Sequence, residues 1–146
     1  MKRIALFTAL TLTAATTAQA DMQLSFKGWG NIPSCTTGSP NTVGNPAFTL
    51  KGIPAGTTQV QIRLKDLNVP GYNHGGGKVK MTADGTIPEG TFKYKSPCPP
   101  SGSHTYEWTA TAKKGSKTLA KREGDGATPT GAHRLVGMLY RPDPLV

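Results

Sequence analysis

In "KSPCPPSGSHTYEWTATA", residues 95–112, a cysteine stands between prolines, a Ser-Gly turn follows, and His104 and Tyr106 then open an alternating run. Read as a strand, His104, Tyr106, Trp108 and Ala110 share one face, and Thr105, Glu107, Thr109 and Thr111 share the other. A second alternating run, Gln59–Asp66, carries Val60, Ile62, Leu64 and Asp66 on one face, with Gln61, Arg63 and Lys65 opposite. An ionisable residue thus ends each of two apolar faces, His104 at the start of its strand and Asp66 at the finish of its own. Taken singly, Asp66 suits turn initiation before Asn68 and Pro70, and His104 a satisfied rim histidine. Taken together, beside the stiff Pro99-Pro100 approach, they describe a shallow polar pocket at the rim of a sheet. A histidine beside a carboxylate is favoured in its charged form, and its N–H groups suit a phosphate or carboxylate oxygen. Tyr106 adds a hydroxyl, and the amides of Ser101-Gly102-Ser103 are further candidate donors. Asp66 is expected to orient a histidine rather than meet the ligand, because two anions in contact repel.

Other chemistries leave weaker marks. "HGGG" at 74–77 has the look of an esterase oxyanion loop, but such a loop works beside a GxSxG nucleophile elbow, and the chain has none. "GGGK" fails as a phosphate loop: Tyr72 stands where the first glycine belongs, and Val79 where Ser or Thr is required. A flexible glycine hairpin is the simpler reading. Asp66, His74 and His104 have the ligand types of a two-histidine, one-carboxylate metal site, although their separation in sequence says nothing about convergence.

The elements that must position these residues read as one small, mainly β domain. Lys2 and Arg3, the apolar Ile4–Ala15 run and Ala18-Gln19-Ala20 form a secretory signal over residues 1–20, too short to span a bilayer. The folded domain is therefore expected over 21–146, in the periplasm or outside the cell. Its two cysteines, Cys35 and Cys98, are expected to pair in such an oxidising compartment, contributing roughly 3–4 kcal/mol. Removing Lys2 and Arg3 takes the formal charge from +9 to +7. The basic cluster Lys113, Lys114, Lys117, Lys121 and Arg122 lacks interleaved aromatics and reads as a solvated loop, open to anionic surfaces but not to nucleic acid. Besides the two long runs, strands are expected at Ala47–Lys51, around Val79 and Met81, around Phe92 and Tyr94, and at Leu135–Tyr140. A short helix is the candidate for Ser116–Arg122. Glycine and proline punctuate the whole chain, which favours an antiparallel β-sandwich with little helix.

Three stretches resemble the phosphatidylethanolamine-binding protein family, in its bacterial Raf-kinase-inhibitor-like branch. "NPAFTLKGIPAGTTQVQIRLKD" looks like the family's opening strand pair, and "DLNVPGYNH" is similar to its acidic turn and following histidine. "SPCPPSGSHTYEWTATA" resembles its proline-rich G-x-H-x-Y strand, the most specific of the three, and "AHRLVGMLYRP" its closing segment. The likeness runs from about Pro46 to Pro142 and implies a β-sandwich with a small cavity for anions and phosphorylated head groups. Carried over, Asp66 matches the first acid of the turn and His74 the pocket histidine after it. Pro99 and Pro100 match the rigid wall, and His104 and Tyr106 the final motif. Asn68 replaces the second acid, Gly75-Gly76-Gly77-Lys78 replaces an aromatic strand, and the helix before the closing strand is cut to "KTLAKREGDGATPTG".

The resemblance implies an exported, non-catalytic binding protein for an anionic or phosphorylated ligand or phospholipid head group, without a cofactor, acting as a monomer or weak dimer. A protein-interaction or inhibitor module acting on a protease or kinase is the alternative, and a small hydrolase or metal-site protein a more distant one.

Overall fold

The computed structural model describes residues 21–124 and 139–140. Among them there is no helix, and the chain forms three antiparallel sheets in one small domain. The frame is the pair that alternation singled out, β4 (Gln59–Asp66) and β8 (His104–Lys114). They run antiparallel in unbroken register from Gln59↔Lys113 to Asp66↔Tyr106. Their inward residues Val60, Ile62, Leu64, Tyr106, Trp108, Ala110 and Ala112 are all buried, as a period of two requires. Strand β5 (Gly76–Lys80) flanks β4, while β9 (Lys117–Gly124) and β10 (Leu139–Tyr140) pair with successive parts of the other edge of β8.

A second sheet supplies the opposite face of the core. Its order is β1 (Gln23–Phe26), β3 (Phe48–Lys51) and β6 (Gly85–Ile87), and it contributes Leu24, Phe48, Leu50 and Ile87. Trp108 is the contact between the layers: it is fully buried, with the Phe48 ring 4.9 Å away and the Tyr94 ring 4.8 Å away, both edge-on. Tyr94 belongs to a third, two-stranded sheet of β2 (Thr42–Gly44) and β7 (Lys93–Lys95).

Three expectations need correction. Ser116–Arg122 is not helical. Gly115, at φ 59°, makes a two-residue turn between Lys114 and Lys117, and the segment returns as β9 with Ala120 opposite Ala112. Seven residues make too few helical hydrogen bonds to compete with a ready-made strand edge. For the same reason the basic cluster is a hairpin and not a loop.

The glycines after His74 are not a flexible hairpin either. Gly76 and Gly77 are the start of β5, opposite Arg63 and Ile62. A Cβ on Gly76, whose φ is 147°, would strike the Ile62 carbonyl, and one on Gly77 would strike the Phe92 ring. The third correction is one of extent. Val79 is in β5 but Met81 lies beyond it, and of the closing strand only Leu139–Tyr140 is seen, 135–138 lying outside the described residues. Strands β1, β2 and β6 are too short, at three or four residues, to carry a visible alternation.

Candidate functional site

The end of β4 and the start of β8 meet at one rim of the five-stranded sheet, and Asp66 and His104 bond there. His104 Nδ1 donates to Asp66 Oδ2 at 2.7 Å. The other carboxylate oxygen accepts the amides of Asn68 at 2.8 Å and Val69 at 3.1 Å, the turn expected of an aspartate in this position. Asp66 is buried, which by itself disfavours its charge. The bond from His104 and the two backbone amides outweigh that cost and hold the carboxyl below its ordinary value. Both oxygens are therefore occupied within the protein. Asp66 aims a histidine, as expected, and is not set to bind an anion.

Asn68 also has a structural explanation. Its side-chain oxygen accepts the Thr105 amide at 2.8 Å, while the Leu67 amide donates to the Thr105 carbonyl at 2.8 Å. A second carboxylate here would stand beside Asp66; the amide locks the turn onto β8 with no added charge.

His74 lies in the connection from β4 to β5 and is held by β7. The Lys95 amide donates to the His74 carbonyl at 2.7 Å, and the His74 ring returns a bond from Nδ1 to the Lys95 carbonyl at 2.9 Å. A carbonyl only accepts, so Nδ1 carries the proton and Nε2 of the neutral ring is left as an acceptor. Burial lowers the His74 pKa below 6.5, against the bond to Lys95 and the charge of Asp66, which pull it back up. The Tyr106 ring stands edge-on to His74 at 5.3 Å and lies 6.3 Å from the His104 ring, joining the two imidazoles.

These groups line a cavity of about 240 Å³, completed by Gly38, Pro40, Val69, Tyr72, Cys98 and Pro100. Asp66, His74, His104, Tyr106 and Pro100 thus converge as the sequence suggested. Pro99 does not reach the cavity; it is fully buried behind the wall. The Ser101-Gly102-Ser103 turn is exposed and does not line it. Among the described residues no group of three or more His, Cys, Asp or Glu is close enough to hold a metal ion.

The wall that sequence reasoning missed is built by the disulfide between Cys35 and Cys98. The bond pins the segment after Cys35 against the Pro99-Pro100 backbone. Gly38, at φ 73°, comes so close that a Cβ there would lie 3.2 Å from the Pro100 side chain. A signal for this wall was present in the sequence: Cys98 adjoins Pro99, so whatever follows its partner must pass close to the pocket. Mass spectrometry of the unreduced, denatured protein is expected to find no alkylatable thiol; two alkylated cysteines would contradict the pairing.

The arrangement has an apolar, rigid mouth of proline, valine and tyrosine, with two imidazoles and one phenol ring inside. Lys95 Nζ donates to the Tyr72 hydroxyl at 3.3 Å, placing a positive charge at the entrance. No helix among the described residues is long and apolar enough to cross a membrane. Searches against family models, curated proteins and solved structures found no match to this chain.

Proposed function

We propose that the chain is an exported, non-catalytic binding protein, kin to the phosphatidylethanolamine-binding proteins, whose rim cavity takes a small anionic or phosphorylated group. The observation that carries this reading is convergence. Asp66 and His74 on one stretch and Pro100, His104 and Tyr106 on another share one 240 Å³ cavity, and they are the positions to which the resemblance assigns the family's motifs. The chemistry fits a ligand that is polar at one end: the histidines face its charged end, while Pro40, Val69 and Tyr72 accept an apolar or glycerol-like remainder. With few donors, affinity is expected to be roughly micromolar to millimolar.

His74 makes the binding pH-dependent. Its ring is neutral above its lowered pKa and becomes a second donor only when protonated, so anion affinity should rise as pH falls below 6.5. Inorganic phosphate and glycerophosphoethanolamine titrations followed by NMR test this. Shifts of the His74 and His104 ring resonances, lost in His104→Ala and weakened in His74→Ala, are expected. Rings that ignore every anion, or variants that bind like the parent, would refute the assignment.

A further inference from the structure

The outward face of the five-stranded sheet is a separate feature. Register places Lys78, Gln61, Thr111 and Lys121 in one row across four strands, and Lys80, Gln59 and Lys113 in the next. Arg63 and Lys65 follow along β4 and are exposed. Against these six basic residues the face, among residues whose side chains are described, sets Glu107. Strand spacing puts Lys78 and Lys121 roughly 14 Å apart, so the charge is spread over a flat patch and not focused in a cleft.

One end of this patch is bounded by the loop between β4 and β5. Pro70, Gly71, Tyr72 and Asn73 close a hollow of about 330 Å³ whose other walls include Arg63, Lys65 and Lys121. The same loop carries Val69, 44% exposed, and Tyr72, 36% exposed, the two large hydrophobic side chains left in the open among the described residues. Cations alone would suit any polyanion. Cations beside an exposed valine, proline and tyrosine suit a surface that offers phosphate charge and, just beneath it, an apolar layer. Tyrosine at such a boundary keeps its ring in the apolar layer and its hydroxyl in the wet one.

We infer that this face docks on an anionic phospholipid bilayer, with phosphates over Arg63, Lys65 and Lys121 and the Val69–Tyr72 loop tip dipped into the interface. The inference stands apart from the cavity's ligand. The two sites share only Val69 and Tyr72, which also line the cavity.

Sedimentation with phosphatidylcholine vesicles, with and without phosphatidylglycerol, tests it on the protein beginning at Asp21. Binding is expected only to the anionic vesicles and should fade at high salt. Each neutralised contact residue should lower partitioning about fivefold, so Arg63→Gln with Lys121→Gln together should lower it about 25-fold. Val69→Asp and Tyr72→Asp should each weaken it, and Tyr72→Trp should restore or strengthen it. A circular dichroism spectrum unchanged from the parent separates these effects from misfolding. No binding to either vesicle, or charge and loop variants that bind like the parent, would overturn the proposal. So would retention on heparin that Tyr72→Asp leaves intact while vesicles are ignored, which would assign the face to a soluble polyanion. Soluble phosphate shifting the two histidines without vesicle binding would remove this inference and leave the cavity reading in place.

Discussion

Asp66→Ala is expected to cost about 3–5 kcal/mol of folding stability, measured by urea unfolding, and to abolish anion binding with it. The size follows from what one carboxylate does. It accepts His104 through one oxygen and two amides of its own turn through the other, at a part-buried rim. Alanine leaves those donors facing a cavity with no acceptor. Asp66→Asn should cost less, because its amide oxygen can still cap the turn, but its other end can no longer act as an anionic acceptor for His104.

The pH dependence separates this cause from simple loss of packing. Pairing holds the Asp66 carboxyl below 3.8, so its stabilisation is complete above that value and is lost as pH falls through the folded pKa. The difference between parent and Asp66→Ala should therefore shrink below about pH 4. His74 acts in the same direction at a higher pH. Its unfolded form takes up a proton below 6.5 while burial resists it in the fold, so stability falls there too, and further in the variant, which lacks the Asp66 charge that pulls the His74 pKa back up. A gap that stays constant into acid would mean that the ionised carboxyl of Asp66 contributes nothing.

The second large effect is expected at Gly76. Gly76→Ala should destabilise by about 4 kcal/mol, with Gly77→Ala close behind, because both lack room for a methyl group. At Gly76 the obstacle is the Ile62 backbone, which cannot swing aside without breaking β4 from β5, and the φ of 147° adds strain for any L side chain. At Gly77 it is the Phe92 ring, itself stacked on Phe48 at 6.3 Å. If both variants unfold at the parent's urea midpoint, β5 does not lie where it is described.

Gly76 and Gly77 also show where a sequence stops being readable. Val60, Ile62, Leu64 and the His104–Ala112 face were legible because alternation against water is a local pattern, and β4 and β8 follow it closely. Asp66 and His104 were legible for the same reason: parity placed them at the ends of buried faces. A glycine run has no such pattern. It reads alike whether the chain is slack or whether a neighbouring backbone has taken the space of its side chains, and only the tertiary packing decides. Ser116–Arg122 failed differently. Its lysines and alanine suit a helix, but the turn at Gly115 and the open edge of β8 set its fate, and neither can be weighed within a seven-residue window. The cavity's outer wall at Gly38 and Pro40 was hidden because those positions carry no chemistry of their own and are placed by a covalent bond.

That bond ties occupancy to oxidation. Cys98 lines the cavity, and its link to Cys35 holds Gly38 and Pro40 against it, so the walled cavity belongs to the disulfide form of the chain. A ligand that prefers the walled cavity to the open one by some factor must, by reciprocity, favour the disulfide over the two thiols by that same factor. Loading the site would therefore protect the bond from reductants, and a reducing environment would weaken binding by the same factor without any competitor being present.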